Sequence, residues 1–425
     1  MARIKIISTF LIVCLCIADG PTYPIDGYQI TNIRRLAYLQ LVVDGKIKGT
    51  KPVAGAMKSL DDICLNLNNL IGDKLLIGDS VVSLPAPDPD LQKAINGLFP
   101  GLNENYSLAL LDITVGRPVR YASRKETAGY QPGSVGKLAV LLGFFTELAK
   151  VCPDSFAQRQ DLLCTKEVRG GKWAMYDEHT VPIFNMQTEK LTKRTVIPSD
   201  VFLLYEWLDF MMSVSNNGAA TVCWREAILM RAFGKAYPDL TEKQAEEYFN
   251  TTPRSELSDI AIAVVNEPLR KLGITKDEWR LGQMFVDGGT DRIPPQGGSI
   301  GTPIGLMKFL VMLERGLCVD EETSLEMKRL FYMTDRRIRY AASSALRDAA
   351  VYFKSGSLYK CRPEEGYTCE KYKGNVDNFM NSVAIIEHPD GTTYLVVLMS
   401  NVRKKNSAND HTALAASIDR KVRGL

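Results

Sequence analysis

The 425-residue sequence predicts an α/β (α+β) sandwich in which one antiparallel sheet is covered by helices. Three observations predict it. Strand-type runs open the main domain, strand-type runs and a helical stretch close it, and the apolar spacing between the two is helical.

In chain order, the first feature is a basic start, Met1-Ala-Arg-Ile-Lys5, followed by an apolar run over residues 6–18 that is too short to span a bilayer comfortably. This predicts a signal peptide, residues 1–18, cleaved after Ala18, and a secreted or periplasmic protein; an uncleaved N-terminal anchor is the alternative. Residues 19–85 are read as an N-terminal extension ending in a Pro-rich linker, because the alternating prolines of Leu84-Pro-Ala-Pro-Asp-Pro-Asp90 favour extended chain. Residues 86–425 then form the main domain. Its opening strand pair is residues 106–113 and 118–123, joined by a turn that contains Gly116.

Helical apolar spacing recurs over residues 138–148, 201–212, 219–233, 260–272 and 304–313, which predicts an all-helical insert. Residues 349–357 are a β-type run. Residues 379–387 and 393–400 flank His388-Pro-Asp-Gly391 as a second hairpin, and residues 409–422 close the chain as a helix.

Composition narrows the chemistry. Apolar residues at 45% and charged residues at 24% are ordinary globular usage, so neither disorder nor a polytopic membrane protein fits. A net charge of +3 without a long basic run gives nucleic-acid binding no support. His179, His388 and His411 lie far apart and in no His/Cys spacing of a metal site, so no metal and no cofactor is expected. Seven cysteines remain after residue 18, an odd number, so at least one stays free; Cys361 with Cys369 and Cys152 with Cys164 are the pairs close enough in sequence to bridge locally.

Three short motifs carry chemistry. In Gln131-Pro-Gly-Ser134-Val-Gly-Lys137, the serine stands at a helix start with the lysine one turn on, so a hydroxyl and an amine share a face beside a helix N-terminus. Ser is also an ordinary N-cap, and Ser357-Leu-Tyr-Lys360 repeats the spacing. A phosphate loop fails on spacing: Gln131 stands where its first glycine belongs, and Leu138 where it needs Ser or Thr. Ser215-Asn216-Asn217-Gly218 interrupts two helical stretches, as a turn or as a hydroxyl and carboxamide facing a cleft. Lys354-Ser355-Gly356-Ser357 ends a strand, as an edge lysine or as a cation and hydroxyls where glycine lets a ligand approach.

In this order the triplet resembles the penicillin-recognising serine hydrolases, most closely the class A β-lactamases, over roughly residues 86–425. The resemblance implies Ser134 as acylated nucleophile, Lys137 as the amine that removes its proton and Ser215 as the shuttle to the leaving nitrogen. It further implies Asn217 on the substrate's side-chain amide and Lys354 with Ser355 on its carboxylate. Gly356 then admits the ligand, and the N–H groups of Ser134 and Ser357 form the oxyanion hole. Lys137 can play its part only if burial and the charge of Lys354 lower its pKa.

One element of the class A pattern is absent, the Glu-x-x-Leu-Asn loop whose glutamate activates the deacylating water. Asp287 and Asp291, in the corresponding stretch before Gly301-Thr302-Pro303, are the candidate replacements, although an aspartate in a Gly-rich turn is commonly a capping residue. The expected function is therefore opening of β-lactam amides through an acyl-serine. A D-alanyl-D-alanine carboxypeptidase or transpeptidase, a non-turnover penicillin-binding sensor, or an amidase on another small amide stand as alternatives. The expected partners are a β-lactam or D-Ala-containing peptide, and peptidoglycan; oligomeric state is not legible.

Overall fold

Alternation along the strands sorts the core into two layers, one on each side of a single sheet. The computed structural model describes residues 26–49, 58–67, 77–78, 81–335 and 337–425. The expected export signal, residues 1–18, lies outside the described residues. The elements that position the site are α1 (Arg34–Val43), α2 (Pro89–Asn96), β1 (Tyr106–Asp112), β2 (Arg120–Arg124), α3 (Lys137–Val151), α4 (Leu204–Met212) and α5 (Asn217–Phe233). After them come α6 (Arg254–Lys271), α7 (Pro303–Glu314), α8 (Glu321–Tyr332), β3 (Ala350–Lys360), β4 (Asp377–Glu387), β5 (Thr393–Asn401) and α9 (Ala408–Arg423).

The sheet runs β3-β4-β5-β1-β2 with every pairing antiparallel, so strands from both ends of the main domain lie side by side. Leu108, Leu110, Val351, Phe353, Ile386 and Val396 face a layer closed by Leu91 and Ile95 of α2 and by Leu414 and Ile418 of α9. The alternate residues Ala109, Leu111, Tyr352, Ile385 and Val397 face the larger layer, where α3 and α5 are buried. Helix α3 is nearly all apolar because it is surrounded on all sides.

Two expectations are corrected. The insert is mainly helical but not all-helical: Glu167–Arg169 pairs with Val201–Leu203, and Val181–Asn185 with Lys190–Arg194. Residues 201–203 look like the start of a helix because they are apolar, yet they pair as a short strand before α4 begins. The extended reading of residues 84–90 ends early, since Asp88 accepts the Leu91 N–H at 2.8 Å and Pro89 occupies the first helical turn, where its missing N–H costs nothing.

The segment expected as an extension is sewn into the molecule. Ile33, Leu36, Leu60, Ile63 and Leu67 belong to the larger layer. Arg35 forms a buried pair with Asp209 and donates to the Met333 carbonyl, while Arg34 pairs with Glu206. Lys58 and Asn66 both reach Glu387, which shares the fully buried ammonium of Lys328 with Glu314. Of the cysteines, Cys361 and Cys369 form the one disulfide among the described residues, and Cys152 and Cys164 are free. A ten-residue helix, Phe156–Thr165, separates that second pair along most of its length of about 15 Å.

Candidate active site

Ser134 sits on a single 3-10 turn, Gly133–Gly136, that leads directly into α3 at Lys137. Gly133 has φ +54°, and a Cβ there would lie 2.8 Å from the Ser357 N; a Cβ at Gly356 would lie 2.2 Å from the Pro132 carbonyl and 3.1 Å from the Ser134 N. The turn and β3 therefore touch backbone to backbone, and glycine on both sides is what permits it. This contact packs the backbone around Ser134 against the backbone around Ser357.

Lys137 is fully buried and its Nζ is the hub of the site. It donates to Ser134 Oγ at 2.9 Å, to the Ser215 carbonyl at 2.7 Å and to Asn217 Oδ1 at 2.6 Å, with Ser215 Oγ at 3.3 Å. Lys354 Nζ reaches Ser215 Oγ at 2.7 Å from the opposite side. Ser215 is placed there by a left-handed residue, φ +61°, between α4 and α5, a conformation that a non-glycine residue adopts only when its surroundings enforce it. The enforcement is visible. Asn216 caps α5 by accepting the Ala219 N–H at 2.6 Å, and its own N–H donates back to the Phe210 carbonyl.

The residues expected to act together thus come from three separate elements and converge: Ser134 and Lys137, Ser215 and Asn217, and Lys354. Ser134, Asn217 and Ser357 line a cleft of about 300 Å³. Ser355 and Gly356 adjoin it on β3. Asp287 and Asp291 do not converge. Both are exposed and neither lines the cleft; the stretch that carries them presents Leu281, Gln283, Met284 and Phe285 instead. The Phe285 ring lies 5.2 Å from Lys137 Nζ, and a Cβ on Gly136 would strike Leu281.

Four residues that sequence reasoning passed over also belong here. Asp177, almost wholly buried, accepts the Asn217 N–H at 2.5 Å and the Gly218 N–H at 3.3 Å, and contacts the His179 ring at 2.6 Å. Burial opposes its charge, but the hydrogen bond and charge of His179, the charge of Lys137 and the Asn217 N–H hold its carboxyl below the usual range. Arg339, buried and at φ +55°, donates to the Gly356 carbonyl at 2.7 Å and stacks on Tyr372. Tyr372 and Lys371 come from the loop between β3 and β4 that carries the Cys361–Cys369 disulfide, and Lys371 reaches across the cleft to Glu178 at 3.3 Å. The Asp177-Glu-His179 run carries no sequence mark of this role, since it lies 40 residues before the Ser-x-Asn turn that it meets in space.

The sequence model described as the β-lactamase enzyme family matches residues 90–422. Among solved structures, TLA-3 extended-spectrum β-lactamase is similar with TM-score 0.51 at 13% identity, covering 78% of this chain and 96% of that one. A class A β-lactamase from Bacteroides cellulosilyticus DSM 14838 is similar at 15% identity and TM-score 0.49, covering 80% of this chain and 98% of that one. PBP-A gives 13%, 0.49, 80% and 98% in the same order. No curated protein matches the chain.

Proposed function

Since this chain belongs to the β-lactamase enzyme family, we propose that it is an exported serine hydrolase that opens β-lactam amides through an acyl-Ser134 intermediate. The observation that carries the reading is the shared hydrogen-bonded path from Ser134 Oγ through Lys137 Nζ to Ser215 Oγ and Lys354 Nζ. Ser134 Oγ attacks the amide carbonyl as Lys137 takes its proton. The oxyanion is held by the N–H groups of Ser134 and Ser357, fixed before substrate arrives. Ser215 then delivers a proton to the leaving nitrogen and is resupplied from Lys137, so the C–N bond breaks without expelling an amide anion. Asn217 Nδ2 takes the substrate's side-chain carbonyl, and Lys354 with Ser355 takes its carboxylate.

A second reading is favoured by one observation: the stretch expected to supply a deacylating acid meets the cleft with Leu281, Gln283, Met284 and Phe285, none of them an acid. A penicillin-binding peptidase or sensor with a long-lived acyl-enzyme would be built that way. Intact-mass spectrometry of the protein mixed with penicillin G or a chromogenic cephalosporin tests both readings. A Ser134-dependent adduct is expected, with ring-opened product accumulating; an adduct that persists without product supports the second reading. An adduct that forms equally on Ser134→Ala overturns both.

A further inference from the structure

The absent glutamate leaves the acyl-enzyme without an obvious base, and the cleft offers one from an unexpected direction. His179 lines the same cleft as Ser134, on the Asn217 side. Its Nδ1 is held at 2.6 Å by Asp177 Oδ1, and its Nε2 makes no hydrogen bond among the described residues. Asp177 is itself immobilised by the first N–H groups of α5. A ring nitrogen fixed by a buried carboxylate, with the other nitrogen open to a cleft that contains the nucleophile, is the arrangement of an oriented general base.

The other acidic or basic groups at the cleft are engaged elsewhere or turned away. Glu178 pairs with Lys371, Tyr359 packs edge-on against Tyr372, and Asp287 and Asp291 are exposed outside the cleft. We propose that His179 is the catalytic base that hydrolyses the acyl-enzyme, with Asp177 as its positioning residue. The inference deepens the acyl-Ser134 reading and rests on it.

In the step, a water oxygen bonds to the ester carbonyl carbon as one of its protons passes to His179 Nε2. The tetrahedral oxyanion sits on the N–H groups of Ser134 and Ser357. As it collapses, Lys137 Nζ, left neutral by acylation, takes the hydroxyl proton of the intermediate and passes a proton to Ser134 Oγ while the bond from carbon to Oγ breaks, and His179 releases its own proton to solvent. The products are a free carboxylate, a restored serine and one proton.

The test follows adduct mass on the full chain with penicillin G, for the wild type, His179→Gln and His179→Ala. Adduct formation is expected within about twofold of wild type in both variants, which also reports that the site is folded. Clearance is expected to fall by about 100-fold or more, and added imidazole should partly restore it in His179→Ala while leaving the wild type unchanged. Clearance at the wild-type rate in either variant, no response of His179→Ala to imidazole, or a wild-type adduct that never clears overturns the proposal with the acyl-serine reading intact. Absence of any Ser134-dependent adduct on the wild type removes that reading and this one with it.

Discussion

Gly356 shows how little room the site leaves at the level of single atoms. Adding one methyl group there places carbon 2.2 Å from the Pro132 carbonyl and 2.8 Å from the Val135 N, both backbone atoms that cannot swing aside. Gly356→Ala is expected to cost about 1–3 kcal/mol, the usual range for forcing a methyl into a packed region, and to abolish acylation because the Ser134 and Ser357 N–H groups separate. Denaturant unfolding and adduct formation on the same sample check both effects. That Ser134, Lys137, Ser215 and Lys354 would meet was legible, because each motif is local and the order of the three was informative. Asp287 misleads for a spatial reason. It opens a one-turn helix, Asp287–Thr290, whose two glycines are pressed inward, Gly288 so closely that a Cβ would lie 2.1 Å from the Lys172 carbonyl, so the acid is turned outward. Spacing along the chain identifies a loop but not the face it presents. His179 was legible only as a residue unfit for metal, since its partnership with Asp177 matters only once α5 is folded beside it.

Among the elements, α4 matters most for chemistry, because its C-terminal end leads into Ser215. Helix α1 grips α4 from outside through Arg34 on Glu206 and Arg35 on Asp209. Asp209 is fully buried; burial raises its pKa, against the opposing pull of Arg35. Removing the guanidinium alone would strand that carboxylate, at a cost of about 3–5 kcal/mol for breaking one side of a buried pair. Arg35→Ala is therefore expected to destabilise the protein by that amount and to slow acylation, whereas Arg35→Met combined with Asp209→Leu should recover most of the stability. Equilibrium unfolding of the three proteins measures it. The helices themselves were readable from apolar spacing, to within a few residues at α3, α5 and α7. The grip of α1 was not, since Arg35 and Asp209 are 174 residues apart and nothing in either neighbourhood marks the pairing.

For the molecule as a whole, the cluster around Lys328 joins the N-terminal segment, α7, α8 and β4, and it sets an acid limit. Burial disfavours charge on Glu387, but Lys328 and Lys58 outweigh it and bring its pKa down to about 2. A carboxyl depressed on folding stabilises above its unfolded pKa and loses that contribution as pH falls through the folded value. Between about pH 4.5 and 2 the protein should therefore lose on the order of 3 kcal/mol from this group. Glu314, raised by burial, offsets part of the loss. Urea unfolding at pH 7, 4 and 3 should show the decline, and Glu387→Gln should be less stable at pH 7 with a flatter dependence below it. The overall architecture, a sheet with strands from both ends of the domain, was legible because strand runs and turn residues bracket a helical middle. That same topology carries a temporal consequence. Strand β1 lies between β2 and β5, and Asp112 pairs with Tyr394, so the inner edge of the first strand made waits unpaired through the synthesis of some 280 residues. The backbone contact that seats Ser134 against β3 likewise waits for Gly356. The setting of Ser134 therefore forms only after β3, β4 and β5 have been made, and a nascent polypeptide released or trapped before β5 emerges carries Ser134 without the strand partners that position it.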